Sequence, residues 1–240
     1  MENLTNKKVL ILGGSTGLGL ATAKAAAAEG AVITIVSKNQ KRLEAAAQQL
    51  PPQTTLFATD LSDEKSIQSF FASFGNFDHL VYTAGENLSL SVIKDMDLSA
   101  SRRYFDIRYW GAVAAVKYGA PHINPGGSIT LTSGIAAIKP NISWSIGSSI
   151  CAAMEGFTRV MALELAPVRV NIVSPGLVRS NLWDSLDAAA REQLFDNLAQ
   201  ALPLKRIGEP EDIARTYLYL MKQPYSTGQR VIVDGGNMLI

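Results

Sequence analysis

A glycine-rich turn between an apolar segment and an alanine-rich segment constrains the fold of this chain more than any other feature. Residues 8–12 have the character of a strand buried on both faces of a sheet. Residues 13–19 contain too much glycine to continue a strand, whereas residues 22–29 almost all favour helices and Gly30 stands where such a helix would end. Strand, glycine turn and helix together predict a nucleotide phosphate site. Backbone N–H groups and the helix dipole attract anions there, and glycine lets a pyrophosphate come close.

Seven short apolar segments alternate with helical segments, and this alternation predicts the fold class. The segments with strand character are residues 8–12, 32–36, 54–59, 79–82, 127–132, 168–173 and 230–233. Helical patterns cover residues 100–122, 147–166 and 187–201 and start again at Pro210, and Ser62 is placed to cap a further helix. The alternation predicts a Rossmann-like α/β fold, a doubly wound seven-stranded parallel sheet with helices on both faces.

Length and composition exclude several classes of protein. A chain of 240 residues with 47% hydrophobic residues can fill the core of one α/β domain, so we expect a single domain over residues 1–240. The net charge of +1 gives no electrostatic case for binding nucleic acid or an anionic membrane. No apolar run approaches the ~20 residues that a membrane helix needs.

The small number of cysteines and histidines also limits the options. Cys151 is the only cysteine, which excludes an internal disulfide and favours a reducing compartment. With no secretion signal at residues 1–6, we expect a cytoplasmic protein. His79 and His122 are the only histidines, so a zinc site is not expected.

The segment after the second predicted strand indicates which dinucleotide would bind. A site for NAD would carry an acidic residue there to hold the ribose hydroxyls. This chain instead has Ser37, Lys38 and Asn39, with Ser15 and Thr16 close by in the glycine turn. A cation and hydroxyl groups suit a 2′-phosphate, so the predicted cofactor is NADP(H).

The G-x-x-x-G-x-G spacing of the glycine turn resembles that of the short-chain dehydrogenase/reductase superfamily, and the resemblance covers nearly the whole chain. Thr83-Ala84-Gly85 is similar to the end of the family's Asn-Asn-Ala-Gly element, and residues 175–180 are similar to its Pro-Gly-x-x-x-Thr segment, with Ser180 for threonine. In the family, ligands lie beyond the carboxyl ends of the strands. The predicted cofactor-binding residues are Gly13, Ser15, Thr16, Gly17, Leu18, Gly19, Ser37, Lys38, Asn39, Asp60, Leu61, Thr83, Ala84, Gly85, Pro175, Gly176, Leu177, Val178 and Ser180.

The resemblance also predicts a non-standard catalytic centre. Ser133 falls at the family's catalytic serine, but the Tyr-x-x-x-Lys motif that normally follows it is missing. Alignment on residues 152–158 puts Gly147 at the tyrosine and Cys151 at the lysine, and no tyrosine occurs between Tyr118 and Tyr217. The family's tyrosine exchanges a proton with the substrate oxygen, and its lysine lowers the pKa of that tyrosine and holds the ribose.

Two other residues are candidates for the missing chemistry. Arg108 stands where the family usually has an asparagine near that lysine, so it is predicted to stabilise negative charge or bind a carboxylate. The alternative is an outward-facing Arg108 paired with Asp106 or Glu86. Asn141 lies in a segment similar to Pro-x-Pro-Gly-Trp, found in a divergent branch that lacks the tyrosine and lysine and carries the arginine. Asn141 could therefore face the substrate.

The resemblance implies an NADP(H)-dependent oxidoreductase that reduces a small carbonyl, imine or iminium compound. In this fold residues from about 179 to 207 form the substrate lid. The family's two long helices form a dimer interface, so we expect a homodimer or homotetramer. A cofactor-binding protein without catalysis, such as a regulator or an inactive partner subunit, stays open as an alternative, as does a non-redox enzyme that keeps the cofactor as a scaffold.

Overall fold

The computed structural model describes residues 3–87 and 90–240. Seven strands form one parallel sheet in the order β3-β2-β1-β4-β5-β6-β7, which confirms the predicted fold class. The strands are β1 (Lys8–Leu12), β2 (Val32–Ser37), β3 (Thr55–Ala58), β4 (Phe77–Tyr82), β5 (Ile123–Thr132), β6 (Arg169–Pro175) and β7 (Arg230–Val233). The chain starts at β1 in the middle of the sheet, moves outward to β3 and then returns to β4 on the other side. That reversal leaves a crevice between β1 and β4 at their carboxyl ends.

Eight α-helices cover the two faces of the sheet within the described ranges. They are α1 (Gly17–Ala28), α2 (Gln40–Ala47), α3 (Glu64–Phe74), α4 (Leu98–Phe105), α5 (Gly111–Gly119), α6 (Ser145–Glu164), α7 (Ala188–Ala201) and α8 (Pro210–Lys222). A stretch of π-helix, Asp106–Trp110, joins α4 to α5. The helix predicted over residues 100–122 is therefore interrupted.

Alternating side chains of β1 enter two different cores. Leu10 and Leu12 belong to the cluster under α3, α5 and α6, whereas Val9 and Ile11 belong to the cluster under α1, α2 and α8. Because both faces are covered, every position of this strand after Lys8 is buried. Complete burial of one such aliphatic side chain contributes about 1.5–3 kcal/mol, so the continuous apolar sequence specifies the centre of the sheet.

The start of α3 corrects one detail of the sequence prediction. Asp63, and not Ser62, caps this helix, because its carboxylate accepts a hydrogen bond of 2.9 Å from the Ser66 backbone N–H. Ser62 instead donates from both its backbone and its hydroxyl to the Asp60 carboxylate. The apolar positions of the helix, including Ile67 and Phe71, face the sheet as their spacing predicts.

Candidate active site

A cavity of about 1230 Å³ lies at the carboxyl edge of the sheet. Its wall follows the ends of β1, β2, β4, β5 and β6 and continues onto the loops beyond them. The predicted site residues that line it are Gly13, Ser15, Thr16, Gly17, Leu18, Ser37, Lys38, Asn39, Leu61, Thr83, Ala84, Gly85, Arg108, Ser133, Asn141, Pro175, Gly176, Leu177, Val178 and Ser180. Gly19 and Asp60 do not line it, contrary to the prediction.

The glycine turn is held tightly against the neighbouring strands. Gly13 donates a 2.8 Å hydrogen bond to the Val36 carbonyl, and a Cβ on Gly13 would lie 2.5 Å from the Ala84 backbone nitrogen. Gly13 also has a φ of +92°, which disfavours any residue with a Cβ. Gly19 packs beneath the turn, where a Cβ would lie 2.3 Å from the Gly13 carbonyl oxygen. Gly19 therefore supports the shape of the turn without forming part of the cavity wall.

The amino terminus of α1 presents unused hydrogen-bond donors to the cavity. Thr16 is the N-cap residue, and its side chain makes no capping hydrogen bond within the described chain. The first turn of α1 also has no acidic side chain. Its backbone N–H groups and the positive end of the helix dipole are therefore available to an anion. Ser15, Thr16 and Leu18 line the cavity at this point.

Two cationic side chains line the cavity just beyond the end of β2. The sequence analysis predicted one of them and missed the other. Lys38 lines the wall, and so does Arg42, which was missed. Asn39 brings Arg42 near, because its side-chain oxygen caps α2 by accepting a 3.0 Å hydrogen bond from the Arg42 backbone N–H. The Glu86 carboxylate lies 3.8 Å from the Lys38 ammonium, and both side chains are about half exposed. The capping spacing of Asn39 and Arg42 is the signal that could have identified the second cation.

Asp60 does not line the cavity, and its carboxylate is engaged by Ser62, two residues further along the chain. Its carboxylate accepts hydrogen bonds of 2.9 Å from the Ser62 N–H and 2.6 Å from the Ser62 hydroxyl. Partial burial opposes ionisation of Asp60, but the Ser62 hydrogen bonds, helped by Lys38, outweigh it and lower the pKa of the carboxyl. Asp60 therefore shapes the loop, whereas the adjacent Leu61 is buried and contributes the apolar part of the wall.

The segment after β4 supports both the glycine turn and Arg108. Thr83 donates from its backbone to the Leu12 carbonyl at 2.8 Å and has its hydroxyl 3.2 Å from the Gly13 carbonyl. Gly85 lies directly under the Arg108 guanidinium, since a Cβ there would lie 2.6 Å from the Arg108 Cζ atom. A residue larger than glycine at position 85 would displace the guanidinium.

Arg108 faces the cavity from the π-helical stretch and not the solvent. It donates a short hydrogen bond to the Glu86 backbone oxygen, and its buried Nε atom has no partner among the described residues. Among the described carboxylates, none lies within 4.0 Å of it. Burial lowers the pKa of the guanidinium, although it stays protonated at neutral pH. The outward-facing orientation is therefore wrong, although Arg108 does pair with Glu86, through the backbone oxygen and not through the carboxylate.

Ser133 lies at the end of β5, where its backbone N–H donates a 2.8 Å hydrogen bond to the Val173 carbonyl. Its hydroxyl oxygen lies 3.1 Å from the Glu155 carboxylate and 3.2 Å from the Cys151 carbonyl. The Cys151 thiol lines the cavity beside Gly134. Burial raises the pKa of this thiol, and the Ser133 hydroxyl and the Arg108 guanidinium act in the opposite direction.

The residues at the positions predicted for the family's tyrosine and lysine lie in the wall. Gly147 and Cys151 are on the first two turns of α6 and line the cavity. Two tyrosines that sequence analysis did not consider also line it, but their hydroxyls are engaged. Tyr82 donates a short hydrogen bond to the Ile107 carbonyl, and burial raises its pKa, whereas Tyr104 donates to the Asn87 carbonyl at 2.8 Å.

Asn141 lies at the exposed rim of the cavity, apart from the centre of the site. Its side-chain oxygen accepts a 2.8 Å hydrogen bond from the Ile142 backbone N–H, which turns the amide toward its own loop. Nearby, Lys139 ties this loop to the last residues of the described chain by donating to the backbone oxygens of Asn237 and Ile240. The predicted catalytic position of Asn141 is therefore not supported by its contacts.

The segment predicted as a lid closes the other end of the cavity. A short 3₁₀ turn, Asn181–Trp183, is followed by α7, and a small apolar cluster, including Trp183, Phe195 and Leu202, holds the two together. Trp183 is buried and donates a 3.0 Å hydrogen bond to the Val178 carbonyl. Missed residues on this side are Leu194, Asn197 and Leu198, which line the cavity from one face of α7.

Residues 3–87 and 90–240 show neither a candidate metal centre nor a candidate membrane span. These residues contain no group of three His, Cys, Asp or Glu side chains that could hold a metal ion. They also contain no helix that is both long enough and apolar enough to cross a membrane.

The chain is similar to dehydrogenases and reductases over its whole length. The family described as Enoyl-(Acyl carrier protein) reductase matches residues 13–237. Short-chain dehydrogenase/reductase ATR9 of Stachybotrys chlorohalonatus is 33% identical, and the alignment covers 100% of both chains. Carbonyl reductase family member 4 of Danio rerio is 32% identical, covering 98% of this chain and 99% of that protein.

Solved structures agree with these relatives. A small-chain dehydrogenase crystallised in complex with NADPH is 34% identical, with a TM-score of 0.84 over 98% of this chain and 100% of the other. MalC reductase/Diels-Alderase from Malbranchea aurantiaca is 30% identical, with a TM-score of 0.89 over 99% of this chain and 97% of the other. By fold, length and sequence, the chain belongs to the short-chain dehydrogenase/reductase superfamily and is an oxidoreductase.

Proposed function

We propose that this protein is an NADP(H)-dependent reductase of a small carbonyl, imine or iminium compound. The single observation that carries the proposal is that phosphate donors, cations and reactive-centre residues line one continuous cavity. The glycine turn and the start of α1 lie at one side of it, and Ser133 and Arg108 lie where the strands β4 and β5 end. A small-chain dehydrogenase of similar fold binds NADPH.

The residues that line the cavity fit NADP(H). Gly13 allows a pyrophosphate to approach the backbone, and the free N–H groups at the start of α1 would hold it. Ser37, Lys38 and Arg42 would hold the 2′-phosphate, since β2 ends without an acidic side chain. Pro175 and the residues after it would enclose the nicotinamide end.

Reduction of a carbonyl compound requires a group that stabilises negative charge on the substrate oxygen, and that group need not be a tyrosine. Bound NADPH would supply a hydride to the electrophilic carbon of the substrate. A carbonyl oxygen then carries negative charge, which the Arg108 guanidinium at the cavity wall stabilises through its charge, with water as the proton source. An iminium substrate becomes a neutral amine in the same step and needs no proton.

We further propose that the centre is atypical for the superfamily because Gly147 and Cys151 take the places of the tyrosine and lysine. In that case the variant carrying both Gly147→Tyr and Cys151→Lys does not gain activity on the native substrate, because the cavity is built around another charge-stabilising group. The measurement is turnover of that substrate by the purified double variant. A clear gain would show that the wild-type centre is a decayed version of the standard one.

A cofactor-oxidation screen tests the proposed function. Purified protein with NADPH is incubated with panels of aldehydes, ketones and cyclic imines, and loss of the reduced cofactor is followed by absorbance. We expect turnover with at least one panel, with the variant Arg108→Ala as the control for the centre. NADPH binding without turnover in any panel would favour the alternative of a catalytically inactive regulatory or partner protein. Failure to bind NADPH at all would contradict both.

We propose a homodimer or homotetramer, supported by side chains exposed on α6, Val160 and Leu163, and on the π-helical stretch, Trp110. Light scattering at micromolar concentration tests the oligomeric state, and a monomer would contradict the proposal.

We also propose a cytoplasmic location, supported by the single cysteine. A cell fractionation that finds the protein in another compartment would contradict this location.

A further inference from the structure

A buried carboxylate stands directly behind Ser133. Glu155 lies on α6 one turn after Cys151 and is only 5% exposed. One of its carboxylate oxygens is 3.1 Å from the Ser133 hydroxyl oxygen, and the other is 2.8 Å from an Arg230 guanidinium nitrogen. Arg230 is therefore the counter-ion of Glu155, and the carboxylate is held between Ser133, which follows β5, and Arg230 at the start of β7.

The Ser133 hydroxyl has one hydrogen to donate, and three oxygen acceptors lie within reach. The Cys151 and Gly134 carbonyl oxygens lie at 3.2 Å and 3.4 Å, whereas the Glu155 carboxylate is closest and charged. Hydrogen bonds to an ionised acceptor are about twice as strong as those between neutral groups. The hydroxyl hydrogen is therefore directed into the protein, and the lone pairs of the oxygen are left for the cavity side.

We propose that Glu155 is a positioning residue, which takes the hydroxyl hydrogen of Ser133 and so makes Ser133 a hydrogen-bond acceptor toward the cavity. This role rests on the proposed function, because it determines whether Ser133 donates a hydrogen bond to a substrate or accepts one from it. Donation to the substrate is then left to Arg108, whose guanidinium has no acceptor function.

Cys151 provides a built-in reporter for the direction of this hydrogen bond. It is the only cysteine, and its thiol lines the cavity beside Ser133 and Gly134. A serine hydroxyl that is released from Glu155 would donate fully to the thiolate, whereas a hydroxyl whose hydrogen is directed to Glu155 stabilises the thiolate less. The rate of alkylation of Cys151 therefore reports whether Ser133 is held.

The test compares four proteins: wild type, Glu155→Gln, Ser133→Ala and the double variant. In Glu155→Gln the amide oxygen faces Arg230, so the amide N–H donates to Ser133 and the hydroxyl hydrogen is released. Loss of the negative charge also favours the thiolate, with or without Ser133. We therefore expect Glu155→Gln to accelerate alkylation by iodoacetamide at neutral pH at least about threefold more when Ser133 is present than when it has been replaced by alanine.

Equal acceleration in both backgrounds would overturn the proposal, since it would mean that Glu155 acts on Cys151 by charge alone. Glu155→Asp supplies a second perturbation that keeps the charge and withdraws the carboxylate from Ser133, and it decides the question if Glu155→Gln does not fold. We expect faster alkylation in Glu155→Asp only when Ser133 is present, and an unchanged rate would also overturn the proposal. Glu29→Gln is the matched control, because it breaks the ion pair of Glu29 with Lys222 far from the cavity and should leave alkylation unchanged.

A kinetic measurement separates this inference from the proposed function. With a substrate found in the screen, Glu155→Gln should lower kcat, and it should have no effect on kcat once Ser133 is already alanine. If no substrate is found, the proposed function fails while the alkylation cycle still decides the role of Glu155. If turnover is found and the alkylation cycle is additive, the function stands and Glu155 is a structural ion-pair residue only.

Discussion

Replacing Lys38 tests how the cavity would distinguish NADPH from NADH. The two cofactors differ by the 2′-phosphate, and Lys38 and Arg42 are the cations at the end of β2 that line the cavity. We expect wild type to bind NADPH at least about tenfold more tightly than NADH, which corresponds to ~1.4 kcal/mol. Lys38→Ala should remove most of that preference and leave the affinity for NADH unchanged.

The magnitude follows from the exposure of Lys38 and from its neighbour. A pair of unit charges about 4 Å apart is worth about 1 kcal/mol in a water-like dielectric, and a phosphate monoester carries about two negative charges at pH 7. Lys38 is about half exposed, so the water-like value applies and the phosphate would gain ~2 kcal/mol. Glu86, 3.8 Å from the ammonium, offsets part of this gain, and Arg42 adds to it.

Glu86 supplies the complementary variant. Because its carboxylate competes for Lys38 and repels a phosphate, Glu86→Gln should tighten NADPH binding about threefold and leave NADH unchanged. The combination of Ser37→Asp with Lys38→Ala should reverse the preference, since it restores an acceptor for ribose hydroxyls.

Fluorescence titration of each variant with both cofactors measures these differences. Lys41→Ala is the matched control, because Lys41 is exposed on α2, the helix that carries Arg42, and is not part of the cavity wall. Equal affinities of wild type for NADPH and NADH would refute the reasoning. The same holds if Lys38→Ala weakens both cofactors equally, since that would place its effect away from the 2′-phosphate.

Three further predictions concern the reactive centre, the glycine turn and the pH dependence of stability. Arg108→Ala should lower turnover on the true substrate by about a hundredfold and change NADPH affinity less than about threefold, whereas Arg103→Ala, on the exposed face of α4, should change neither. Gly13→Ala should lower the free energy of unfolding by more than about 3 kcal/mol, because its Cβ meets the Ala84 backbone, and Gly17→Ala by only about 1 kcal/mol, because the nearest atom to its Cβ is 3.7 Å away. Burial lowers the pKa of His79 to about 4, so the unfolded chain takes up a proton more readily and stability should fall by about 3 kcal/mol as the pH drops from about 6.5 toward 4.

Each of these predictions has a result that would contradict it. Full activity of Arg108→Ala would remove the arginine from the mechanism. Equal denaturation midpoints for Gly13→Ala and Gly17→Ala would mean that the turn can relax away from Ala84. For the histidine, denaturant titrations at several pH values should lose this acid-dependent slope in His79→Gln, and a slope that persists would assign it to other groups.

The parts of the fold that sequence analysis predicted correctly are those that neighbouring residues determine. The strand, glycine turn and helix at residues 8–28 follow from apolar runs, backbone freedom and helix propensity, which all act within a few residues. The break between α4 and α5 could not be predicted in this way. A π-helical stretch adds a residue to a turn, and no local propensity marks where packing against the site stabilises it.

The glycine turn could be predicted from sequence more directly than the contacts around Ser133, and the reason is physical. Phosphate recognition uses backbone groups and a helix terminus, so glycine spacing alone indicates where they lie. Hydrogen-bond direction at the reactive centre depends instead on residues far apart in the chain: Ser133 meets Glu155, and Glu155 meets Arg230 from the last strand. Sequence analysis could name Ser133 as a reactive hydroxyl, but it could not say which way the hydroxyl hydrogen points. That direction determines whether the serine donates to a substrate or accepts from it, so the chemistry of the site depends on contacts that only the folded chain provides.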